Sequence, residues 1–68
     1  MTNKIDETAI VARLNDFLKH IGNALKHNDV RNFEYWSGVY DGYRDALAAL
    51  GTRVVYGKDN TIIGIERI

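Results

Sequence analysis

The feature that most constrains this chain is the segment Phe33 to Leu50, where two apolar seams of different character run side by side at helical spacing. Phe33, Trp36, Tyr40, Tyr43, Leu47 and Leu50 form a bulky seam at i, i+3, i+7 spacing, the pattern of one helix face laid on a core. Beside it Tyr35, Val39, Gly42, Ala46 and Ala49 repeat with the same spacing. Together they make an apolar arc roughly 200° wide, against the ~100° that a surface helix requires. Such a helix has to be covered from two sides. In a chain of 68 residues the second cover comes either from the chain's own remaining structure or from another molecule.

This length makes one domain, residues 1–68, and a chain of about 60 residues buries only about 60% of its unfolded surface. No disulfide adds to that core, because the chain has no cysteine. The same absence removes thiolate catalysis and cysteine-based metal centres, and it suits a reducing compartment. The run Met1-Thr2-Asn3-Lys4-Ile5-Asp6-Glu7 lacks the basic-then-apolar order of a signal peptide, and no stretch approaches a membrane span, so a cytoplasmic protein is expected. Nine basic residues balance nine acidic ones, so no whole-molecule field draws in nucleic acid or an anionic bilayer; only a local patch can.

Four elements are expected. A first helix, about 6–26, starts near Asp6 or Thr8 and carries Ile10, Val11, Leu14, Phe17, Leu18, Ile21 and Leu25 on one arc. The break at His27-Asn28-Asp29 supplies a left-handed stop at Asn28 and an N-cap at Asp29 for a second helix, about 30–50, antiparallel to the first. Gly51 stands where a left-handed C-terminal cap belongs. The remainder switches to Val, Ile and Tyr around a polar tip, predicting a β-hairpin of about 53–57 and 61–67. With Asp59-Asn60 central in the turn, Tyr56 pairs with Ile63, Val54 with Ile65 and Arg53 with Glu66. A longer turn using Gly57 is the alternative. The first register lays Val54, Tyr56, Ile63 and Ile65 on the helices and leaves Val55, Ile62 and Ile68 on the outer face. The fold class is therefore α+β, a two-helix hairpin followed by a β-hairpin.

Sites for chemistry are sparse. His20 and His27 are about 10.5 Å apart along a straight helix, too far for one metal ion, and Asp16 with His20 reads as an i,i+4 surface pair. Ser37 lacks a nucleophile context, and Glu34, Asp41 and Asp45 lie on a convex helix without the burial that separates two carboxyl pKa values. No enzyme, metal or cofactor is expected. Two functions remain. Association, with itself as a homodimer or with another protein, would use Tyr35, Val39, Gly42, Ala46 and Ala49 on the helix and Val55, Ile62 and Ile68 on the strands. The alternative is nucleic-acid binding through Arg13, Lys19, Lys26 and Arg31 on and after the first helix.

The run Tyr35-Trp36-Ser37-Gly38-Val39-Tyr40-Asp41-Gly42-Tyr43-Arg44-Asp45-Ala46-Leu47 resembles the aromatic-Gly-aromatic-Asp-Ala-Leu helices of small phage and prophage proteins of Gram-positive bacteria. The resemblance covers about a fifth of the chain. It implies a small accessory or structural protein of phage type, and it carries over no catalytic residue.

Overall fold

The computed structural model describes residues 6–68, so the reading of Met1 to Ile5 as lacking a leader lies outside the described residues. Helix α1 spans Glu7–Lys26, helix α2 Val30–Ala49, strand β1 Thr52–Tyr56 and strand β2 Ile62–Arg67. The order is the expected α+β one, a helical hairpin followed by a two-stranded antiparallel sheet.

Local chemistry sets each helix end. The Asp6 carboxylate accepts the Ala9 amide at 3.1 Å, satisfying one of the first-turn donors that a helix leaves unpaired. Asp29 does the same for α2, taking the Asn32 amide at 3.1 Å and its side-chain nitrogen at 2.7 Å. Between the helices Asn28 is left-handed at φ 52°, and after α2 Gly51 takes φ 78°, the conformation a side chain resists. These two stops turn the chain back on itself and then launch the hairpin.

The core is made where the helices meet the sheet. Leu14, Phe17, Tyr40, Leu47 and Ile62 form its buried centre, with Val54 and Ile65 of the strands and Ile10, Trp36, Val39 and Tyr43 of the helices packed around it. Phe17 meets the edge of Tyr43 at 5.3 Å between ring centres, an arrangement aromatic quadrupoles favour. Helix α1 lies against β2 and α2 against β1. Two arcs change at their ends. Leu25 is exposed and its neighbour Ala24 is buried, because that turn has passed beyond the sheet; Leu50 is exposed because it caps α2 outside its last turn.

The hairpin keeps the expected pairs Val54 with Ile65 and Arg53 with Glu66, and Asp59 and Asn60 occupy the turn, both left-handed at φ 61° and 60°. Its tip departs from the expected register. Tyr56 lies opposite Ile62, and a bulge at Ile63 restores the pairing of Val55 with Gly64. Gly57 closes the loop by donating its amide to Thr61 O at 2.7 Å. The consequence is an exchange of faces. Ile62, expected outside, is 2% exposed in the core, and Ile63, expected inside, is 64% exposed. Strict alternation would put Ile62 and Ile65 on opposite faces, and one extra residue lets both reach the helices. Tyr56, expected in the core, is half out of it and reaches inward only through its hydroxyl.

Candidate association surface

The two edges of the sheet are treated differently. At β2 the side chain of Asn15 on α1 donates to Ile62 O at 2.9 Å and accepts from Ile62 N at 2.8 Å, as a neighbouring strand would. Glu7 takes the Ile65 amide at 3.4 Å. Helix α1 thereby occupies the part of that edge from Ile62 to the Ile65 amide. Opposed residues of an antiparallel ladder either exchange both backbone bonds or turn both groups away. Since Ile65 turns its amide toward Glu7, Val54 opposite it turns its own N–H and C=O to the outer edge of β1, as do Thr52 and Tyr56 two residues either side. Among the described residues no side chain hydrogen-bonds to that backbone. Among the described residues the hydrogen bonds between α2 and β1 use β1 side chains: Thr52 Oγ1 donates to Leu47 O at 2.8 Å, and the Tyr56 and Tyr40 hydroxyls lie 2.6 Å apart. A groove of about 190 Å³ follows this edge, lined by Arg44, Asp45 and Ala48 of α2, by Thr52, Arg53 and Val54 of β1, and by Ile68.

On α2 the small seam stays open. Tyr35, Gly42, Ala46 and Ala49 are exposed, and a Cβ built on Gly42 would meet nothing within 4 Å, so the chain's own hairpin does not fill the groove there. Val39 is the exception, half-buried against the core. On the strands Ile68 is 76% exposed, its amide donating to Gly51 O at 2.8 Å, and Val55 is half-buried. Ile62 leaves the set, because its side chain belongs to the core. Leu25, Val30, Leu50 and Ile63 join the exposed apolar residues. Ile63 was hidden by the assumed register, and Leu25 and Leu50 by helical arcs that run past the end of the packed region.

The His20 ring stacks on Trp36 at 4.2 Å and 11°, with Asp16 4.0 Å from its Nε2. His27 Nδ1 faces Asn23 O at 2.9 Å. Both imidazoles border a hollow of about 480 Å³ at the interhelix turn, with Asn23, Asp29, Asn32 and Trp36. Among the described residues no three His, Cys, Asp or Glu side chains converge as a metal site would require. Burial first, then the hydrogen bond shared with Tyr56 and the Tyr56 charge, push the Tyr40 hydroxyl up to about 12, against the pull of Arg44, whose guanidinium lies 5.5 Å from the Tyr40 ring centre. Arg13, Lys19, Lys26 and Arg31 are all exposed and take part in neither of the two ion pairs among the described residues, His20 with Asp16 and Arg53 with Glu66.

No family model, curated protein or solved structure matches the chain.

Proposed function

We propose that this protein acts by association, as a homodimer or as an adaptor for another protein, in the cytoplasm and without chemistry of its own. The observation that carries the reading is the amount of large apolar surface left outside after folding: Leu25, Val30, Tyr35, Leu50, Ile63 and Ile68 are all exposed. Residues of this kind scattered singly are ordinary, but here they accompany an unfilled seam on α2 and an open strand edge. A role as an accessory or structural protein of phage type accords with the Tyr35 to Leu47 run.

Sedimentation equilibrium from micromolar to millimolar protein at physiological salt tests the reading, with a dimer or larger species expected. Gly42→Leu tests the helix seam. The site is open, and leucine favours helix over glycine by about 1 kcal/mol, so the monomer keeps its helicity while contact through the seam is lost. A dimer indifferent to that side chain removes the seam from the interface.

A second reading, nucleic-acid binding, rests on the four exposed cations Arg13, Lys19, Lys26 and Arg31. It requires binding that falls steeply with salt and weakens when two of them become Glu; no binding at about 50 mM salt ends it.

A further inference from the structure

Resting on the association reading, we infer that the open edge of β1 is completed by β1 of a second copy, running antiparallel about Val54. The joint sheet then has the order β2, β1, β1, β2.

Three observations lead there. The first is the asymmetry of the edges, with Asn15 and Glu7 hydrogen-bonded to the backbone of β2 at Ile62 and Ile65 and no side chain among the described residues hydrogen-bonded to the outward backbone of β1. The second is how little protects β1. Its sequence Thr52-Arg53-Val54-Val55-Tyr56 has no proline and no lysine, and its one charge is drawn back over the sheet by Glu66. Edges that stay single are ordinarily blunted by such devices.

The third is that the strand is complementary to itself. Antiparallel pairing about Val54 sets Val54 against the second copy's Val54 and Thr52 against its Tyr56 on the helix face, and Arg53 against its Val55 on the outer face. No like charges oppose one another. Residues 52, 54 and 56 all turn their backbone outward; Thr52 is only 8% exposed, so the joint centres on the two hydrogen bonds between the Val54 residues. Tyr56, 45% exposed at this edge, gains a neighbour across it. Because α2 is the helix packed on β1, the second copy brings its own α2 to the same side of the joint sheet.

The test is the dimer dissociation constant of the full chain by sedimentation, with far-UV circular dichroism as the check on folding. A synthetic chain N-methylated at Val54 loses one outward amide and no internal hydrogen bond. It is expected to stay folded and to dimerise at least ~100-fold more weakly, since the methyl also blocks close approach of the second strand. Val55→Lys places two symmetric lysines opposite Arg53 and is expected to weaken the dimer roughly tenfold, whereas Val55→Glu places opposite charges there and keeps or tightens it. A dimer that tolerates the methylated amide, or that weakens equally with Lys and Glu, overturns the strand pairing and leaves association through another face standing. A wild-type chain that remains monomeric to millimolar concentration overturns self-association and the pairing together.

Discussion

Strands β1 and β2 belong to one hairpin and share a length to within one residue, yet they are held in opposite ways. Strand β2 is tied to α1 by backbone, through Asn15 and Glu7, and drives Ile62 into the centre of the core. Strand β1 is tied to α2 by side chains, through Thr52 and Tyr56, and keeps the backbone of its outer edge free. The difference teaches that a helix can serve as the missing strand on one side of a sheet while its neighbour leaves the other side available. The Asn15 carboxamide makes most of the distinction, because it carries both a donor and an acceptor for one strand residue, with the Glu7 carboxylate adding an acceptor for the Ile65 amide.

The largest effect that can break this comparison lies at Ile62. Ile62→Ala is expected to cost about 2–5 kcal/mol in urea unfolding, a large share of what so small a domain has, whereas Ile63→Ala costs under about 1 kcal/mol. Equal costs would mean that the bulge does not select which isoleucine enters. Next is Asn15→Ala, expected to lose about 1–3 kcal/mol by leaving both backbone groups of Ile62 without partners. Amide exchange sharpens the contrast. In dilute protein the Ile62 amide is slow in the wild type and fast in Asn15→Ala, while the Val54 amide is fast in both.

Smaller effects fall on the β1 side. Tyr56→Phe removes the hydroxyl contact with Tyr40 and is expected to cost about 1 kcal/mol. The same contact predicts a pH dependence. Tyr40 is held neutral up to about 12 in the folded chain against an ordinary 10, so its contribution is complete below pH 10 and declines as pH rises toward 12, where the unfolded chain ionises first. Urea midpoints from pH 8 to 11.5 should therefore fall above about pH 10, less steeply in Tyr40→Phe. The smallest effect is at the exposed Arg53 and Glu66 pair, where Arg53→Ala should change stability by under about 1 kcal/mol.

Most of the architecture was legible in the amino-acid sequence, because its determinants are local. The caps at Asp6 and Asp29, the left-handed stops at Asn28 and Gly51 and the turn pair Asp59-Asn60 each act within a few residues, and the helical arcs repeat every turn. Which isoleucine of β2 turns inward was not legible. Both have the same chemistry, and the choice depends on a bulge that pays off only when α1 is there to receive Ile62. The role of Asn15 was equally hidden, since it falls between the apolar and charged arcs of its helix and meets Ile62 from 47 residues away. For the candidate surface, the sequence alone determined that α2 carries more apolar face than one cover requires, because residue type and helical period are properties of the chain. Only the tertiary structure decided which parts of that excess stay open and which strand edge is left unpaired, because burial and backbone pairing depend on what the fold brings alongside.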